Sequence, residues 1–200
     1  GDVYKRQVYI NDTVHKTRGF LIASGNIAGE KMHFIVNHWP SRAAASPARE
    51  RAGEQVRAIK DSLLREDSAA KIVIMGDMND DPMDKSMAVA LGAKRKPADV
   101  GPTDLYNPWW DTLKKGYGTL MYKGKWNLFD QIVFTGNLLG TDRSTLKFYK
   151  HEIFRRDFMF QKEGKYKGYP KRTQAGGVWL NGYSDHLPTC LLYTSDAADE

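Results

Sequence analysis

A chain of 200 residues, 41% hydrophobic and 12% aromatic, is long enough for one domain with a sizeable core. No apolar run approaches the ~20 residues that a membrane helix needs, no charged-then-apolar leader precedes the first strand, and the single Cys190 excludes an internal disulfide framework. The formal charge is +6 and is uneven, with ten Lys/Arg against four Asp/Glu between Asp142 and Arg172; such an excess suits an anionic partner, and equally a solvated basic surface.

In chain order, Arg18 to Ser24 and Lys31 to Asn37 are apolar, β-branched stretches joined by the turn-rich GNIAGE, the pattern of an antiparallel hairpin. Ser46-Pro47 offers an N-cap and first helical residue for a helix whose buried face is Val56, Ile59 and Leu63, with Arg49, Glu50, Arg57, Lys60 and Asp61 left mostly to solvent. Lys71 to Met75 is a continuously apolar strand of the kind buried on both faces in a layered α/β structure. A short helix is expected over Lys85 to Leu91, and irregular loops from Gly92 to Asn127. Strand character returns at Phe129 to Thr135 and Thr145 to Phe154, and SDHLPT opens a last strand. With no repeat or low-complexity linker, one domain suffices.

Four of these strand ends carry chemistry. In GDMND, Asp77 and Asn79 are two residues apart and project from the same side of an extended segment, pairing a carboxylate that can hold a hard cation or take a proton with an amide that can bond a phosphoryl oxygen. An Asx-rich turn is the competing use of that fragment. In NHWPSR, His38 can protonate or stabilise a phosphate oxygen and Arg42 offers a planar fork for phosphate, although each taken alone reads as well as a structural residue. In NLFDQIVF, Asp130 is a carboxylate one residue into an apolar strand and needs a partner, for which His186 of SDH is the candidate, next to Asp185; taken alone, Asp130 reads as well as a cap or edge carboxylate in water, and the Asp-His pair as a surface loop. Trp109, Trp110 and Trp126 lie in loop-rich territory, where they can stack on a substrate or pack a thin core.

Taken together and in this order, GDMND, SDH, NHWPSR and FDQI resemble the motifs of the endonuclease/exonuclease/phosphatase superfamily with the DNase I-like fold, over nearly all of Val8 to Thr189. The resemblance implies an α/β fold, a four-layer αββα sandwich, and a Mg²⁺-dependent (or Mn²⁺-dependent) hydrolase of phosphodiesters. A nuclease is the first choice given the basic segment. A sphingomyelinase-like or phosphoinositide-type esterase, or a non-catalytic anion-binding module of the same fold, are the alternatives. Carried across residue by residue, it implies that Asp77 activates water or binds metal, Asn79 holds phosphate or nucleophile, His186 stabilises the pentacovalent phosphate with Asp130 orienting it, Asp185 serves the metal, and His38 contacts the scissile phosphate or leaving group. Arg42, Trp109 and Trp110 are the substrate-binding candidates, and a monomer is expected.

The superfamily also uses an Asn at the end of its first strand and a metal-binding Glu in its N-terminal half. Neither Asn26 nor Glu30, both beside the hairpin turn, fits those roles, so the chain is expected to be roughly the C-terminal half to two-thirds of a domain and nearly inactive alone. The ends 1–7 (GDVYKRQ) and 191–200 (LLYTSDAADE) resemble translated sequencing-adapter sequence, which places the partial domain at 8–190. Nothing in the sequence decides the compartment.

Overall fold

The computed structural model describes residues 3–8 and 18–195. In chain order the elements are β1 Tyr4–Val8, β2 Phe20–Ile27, β3 Glu30–His38, helix α1 Ser46–Glu66, β4 Lys71–Asp77, a π-helical stretch Ser86–Leu91, β5 Ala93–Lys94, β6 Leu105–Tyr106, the short helix α2 Trp109–Lys114, β7 Leu120–Tyr122, β8 Lys125–Asn127, β9 Asp130–Thr135, β10 Lys147–Ile153, β11 Gln174–Ala175, β12 Val178–Trp179 and β13 Thr189–Thr194. Seven strands form one sheet in the order β1-β2-β3-β4-β9-β6-β5. β2 and β3 make the hairpin expected from the GNIAGE turn. β3 and β4 are parallel, as a strand pair joined by a helical crossover must be, and β9 returns antiparallel to β4.

The two faces of this sheet have separate cores. On one face, Val56, Leu63 and Leu64 of α1 pack with Phe20, Ile22, Ile35, Ile72, Ile74 and Trp39. On the other, Met32, Val73, Ile132 and Phe134 pack with Trp109, Leu146 and, from the two-stranded β10–β13 sheet, Phe148, Ile153, Leu191 and Tyr193. Helix, large sheet and small sheet thus stack as α, β and β layers. Lys71, expected only as the first residue of the strand, is buried and ion-paired to Glu30, whose carboxylate also accepts from the Leu146 backbone N–H at 2.5 Å. Glu30 therefore anchors the small sheet to the far end of β3, opposite to His38.

Three expectations are corrected. Ala45, not Ser46, occupies the N-cap of α1 and makes no side-chain cap; Ser46 is already helical and its hydroxyl donates to Glu50, while Pro47 sits in the first turn. Arg49 and Lys60 are buried rather than solvated, because each long stem lies along the core and carries its head to a specific acceptor: Arg49 to Ser41 O, Ala44 O and Asp80, Lys60 to Thr103 O. The stretch from Gly92 to Asn127 is not all loop. It adds β5 and β6 to the sheet edge and forms the β7–β8 hairpin, in runs of two or three residues too short to show a period in sequence.

Gly76, the residue before Asp77, adopts φ +139°, and a Cβ there would meet the Asn37 carbonyl oxygen of parallel β3 at 2.0 Å. The strand end can approach β3 this closely only without a side chain. Gly76→Ala is expected to destabilise the protein by at least about 2 kcal/mol, seen as a lowered urea midpoint with an unchanged slope.

Candidate active site

The register of the sheet assembles the site. His38 lies opposite Asp77 across the β3–β4 pair, and Asp77 lies opposite Asp130 across the β4–β9 pair. Directly opposed residues share a face at close range, so three sequence-distant groups become neighbours along one line. His38 Nε2 is 3.6 Å from Asp77 Oδ2.

His186 arrives from outside the sheet. Thr119 ties its segment down: the Thr119 carbonyl accepts from the Leu187 N–H at 2.8 Å, Leu120 bridges His186 as a single antiparallel pair, and the Thr119 hydroxyl accepts from the N–H groups of Phe129 and Asp130 at 3.2 and 3.3 Å. The His186 Nδ1 then lies 2.7 Å from Asp130 Oδ2. One ligand atom each from Asp77, Asp130 and His186 falls within 4.8 Å of the others. Thr119 and the β7 strand that follows it are the pieces that sequence reading missed, since a lone threonine in a glycine-rich loop gives no signal.

The electrostatics follow from burial and company. Burial raises the Asp77 pKa, and the charge of Asp130 raises it further; the Asn79 backbone N–H and the two histidines pull the other way without cancelling it. For His186, burial lowers the pKa, but the hydrogen bond and charge of Asp130, helped by Asp77 and Asp185, outweigh it and hold the imidazole above its ordinary value. Among the described residues neither Asp77 nor Asp130 is ion-paired to Lys or Arg.

The rest of the acidic tip is divided among other tasks. Asp77 Oδ1 accepts the Asn79 N–H at 2.9 Å and Asn79 sits at φ +53°, so the Asx turn weighed in the sequence is present together with the catalytic-type geometry. The Asn79 side chain is 8% exposed and its amide donates to Trp39 O at 3.0 Å, which makes it a brace for the Asp77 turn. Asp80 is buried against Arg49 at 2.9 Å and Ser86 at 2.7 Å. Removing one partner of such a pair costs about 3–5 kcal/mol, so Asp80 holds the fold. Asp81 accepts the Leu128 N–H at 2.7 Å.

Arg42, expected as a phosphate fork, is spent on carboxylates: its guanidinium donates to Asp84 at 2.8 Å and Asp81 at 3.2 Å, and to Asn79 O at 3.2 Å, while stacking over Phe129 at 4.4 Å. Trp109, expected at the substrate, is a core residue with no exposed surface, its indole donating to Ile132 O. Trp110 is partly buried, with its indole N–H enclosed and unpartnered. Asp185 stands apart from the trio and faces Arg172 at 3.4 Å. Buried Gln131, which the sequence reading did not single out, bonds Asp80 O, Leu128 O and Asn107 and so fixes the start of β9.

The model of the endonuclease/exonuclease/phosphatase family matches residues 3–194. The chain belongs to that family. The match includes Tyr4–Val8, which pairs along β2, and the strand β13. No curated protein matches the chain. Among solved structures it is similar in fold to TDP2 of D. rerio complexed with a single-strand DNA product (13% identity, TM-score 0.55, covering 96% of this chain and 69% of that one). It is likewise similar to a mannosyl-6-phosphatase of Bacteroides thetaiotaomicron (12%, 0.55, 96% and 66%) and to the catalytic domain of human Nocturnin with bound sulfate (11%, 0.51, 94% and 59%). The chain thus spans about three-fifths to two-thirds of the length of these family-fold neighbours.

The His186–Asp130 pairing makes a direct prediction for titration. A raised folded-state pKa means that the charged imidazole stabilises the fold fully below its unfolded value, near ~6.5, and that this contribution is lost as pH rises through the higher folded midpoint. By NMR, the His186 ring is expected to titrate above ~6.5 in the wild type, and its midpoint should fall in Asp130→Asn.

Proposed function

We propose that the protein is a divalent-metal-dependent phosphodiesterase whose catalytic centre is Asp77, Asp130 and His186, with His38 at its edge. The observation that carries this reading is the convergence of those three groups within 4.8 Å from segments far apart in sequence. Two carboxylates opposed across paired strands without a lysine or arginine repel each other, and like charges in that position are destabilising. Their repulsion already raises the Asp77 pKa. A hard cation relieves it, and the oxygen donors of Asp77 and Asp130 suit Mg²⁺ or Mn²⁺. Bound there, the ion would supply charge neutralisation of the phosphoryl oxygens and a more acidic water.

The protein's own groups do the rest. His186, with Nδ1 turned to Asp130, keeps its other ring nitrogen for a phosphate oxygen, and in the imidazolium form it donates a hydrogen bond to the charge that develops in the transition state. Asp130 holds that tautomer and orientation. Asp77, at the strand end opposite Asp130, is placed to take a proton from the attacking water. His38, half exposed beside Asp77, is placed to protonate a leaving oxygen.

Nucleic acid is the substrate class we favour. The basic segment reaches the site, since Phe154 bonds to Pro188 just past His186 and Arg172 faces Asp185. The DNA product bound by the D. rerio neighbour supports the same choice.

Hydrolysis of bis(p-nitrophenyl) phosphate and of single-stranded DNA by the full-length gene product should require Mg²⁺ or Mn²⁺ and stop with EDTA. Asp77→Ala and His186→Ala should each lower kcat by at least ~10²-fold, the lower range for losing a proton-transfer group. Metal-independent turnover, or variants that retain wild-type kcat, would overturn the assignment.

A further inference from the structure

Arg155 is set apart from the other enclosed guanidinium groups. Its guanidinium carbon lies 4.7 Å from the Trp126 ring centroid, 5.0 Å from Phe160 and 5.6 Å from Tyr117. Buried Arg49 and the more exposed Arg42 are both met by carboxylates and carbonyls. Arg155 has no such partner among the described residues, and its Nη1 is enclosed without an acceptor. Burial accordingly lowers its pKa. Aromatic faces hold a cation in place but leave its N–H groups unsatisfied. Nη1 itself is enclosed, but Arg155 as a residue is only partly buried, so the open side of its planar fork, held on an aromatic mount, is a site for an anion.

Its position connects it to the catalytic centre. The Phe154 N–H, one residue before Arg155, donates to Pro188 O at 2.8 Å, two residues past His186. Trp126 pairs with Met121 in the β7–β8 hairpin, and the adjacent Leu120 is the residue that bridges His186. The cage therefore stands about two strand spacings, on the order of 10 Å, from the histidine. Tyr117, one wall of the cage, leaves half its surface open to solvent. Exposed Arg156 extends the positive charge along the same edge.

We propose that Arg155 binds a second phosphate of a single-stranded nucleic acid, a neighbour of the phosphate held at Asp77 and His186, while an unstacked base lies on Tyr117. Single strands suit the arrangement because only they offer free base faces to an aromatic ring beside a backbone phosphate. This assignment rests on the phosphoesterase reading of the adjoining site and names its substrate class.

The test measures binding, apart from turnover. Fluorescence anisotropy of a fluorescein-labelled hexathymidylate is followed in EDTA against the full-length gene product, its Arg155→Met and its Arg155→Lys, over a range of salt concentrations. Methionine keeps an apolar stem between the rings; lysine keeps the charge. Arg155→Met is expected to weaken binding at least tenfold and to flatten the slope of log Kd against log salt by about 0.7, the share of one single-strand phosphate contact. Arg155→Lys is expected to lose affinity and keep the wild-type slope, a split that a merely structural role would not produce and that stands even if the methionine variant is unstable. Wild-type affinity and slope in Arg155→Met would overturn the proposal, as would a wild type that binds phosphatidylserine vesicles but not the oligonucleotide. Failure of the wild type to hydrolyse bis(p-nitrophenyl) phosphate would instead strike the phosphoesterase reading, and the anisotropy result would stand on its own.

Discussion

The architecture of the site depends on two carboxylates placed opposite each other across paired strands. Asp77 ends β4, Asp130 begins β9, and the antiparallel register makes them partners, with no lysine or arginine ion-paired to either among the described residues. Such a pair is unfavourable in an isolated sheet. It is held because Asp77 sits on a strand whose interior is buried on both faces, where Ile72, Val73 and Ile74 bind the layers together, and burial of each such side chain is worth roughly 1.5–3 kcal/mol. Gly76 lets that strand run against β3 up to its last residue, and the Thr119 contacts bring His186 to Asp130. The apolar sheet supplies the rigidity, and its end concentrates negative charge that suits a cation.

The acidity after β4 is therefore not one feature but several. Asp77 alone of the acidic residues in GDMNDDP looks into the site. Asp80 turns inward to Arg49 and Ser86, and Asp81 and Asp84 hold Arg42. This division explains why Arg42 does not present a free fork: the carboxylates of Asp81 and Asp84 already take its donors. It also shifts attention to Arg155, a guanidinium set among three aromatic rings with no acid against it among the described residues.

Much of this arrangement was legible in the sequence. The hairpin from Phe20 to His38, the buried strand from Lys71 and the strand from Asp130 carry strong apolar patterns, and the partnership of Asp130 with His186 follows from the cost of leaving a carboxylate unpaired in an apolar strand. What sequence could not show was which way individual side chains turn. Arg49 and Lys60 fall on positions that read as solvent-facing, yet backbone carbonyls within reach draw them inward. Trp109 occupies loop-like sequence but roofs the second core, because α2 forms where the irregular stretch crosses β9. The β7–β8 hairpin, three residues a side, is defined by tertiary pairing rather than by local pattern, and with it the contact that positions His186.

The proposed cation-binding point lies between Asp77, Asp130 and His186, with His38 at its edge. It can be probed by adding sub-stoichiometric Mn²⁺ to the protein and following the histidine ring signals by NMR. His33 lies five residues back along β3, roughly 17 Å from His38 at the usual strand rise. The ring signals of His38 and His186 should broaden first and together, while that of His33 stays sharp. Equal broadening of all three, or an unaffected His186, would contradict the account.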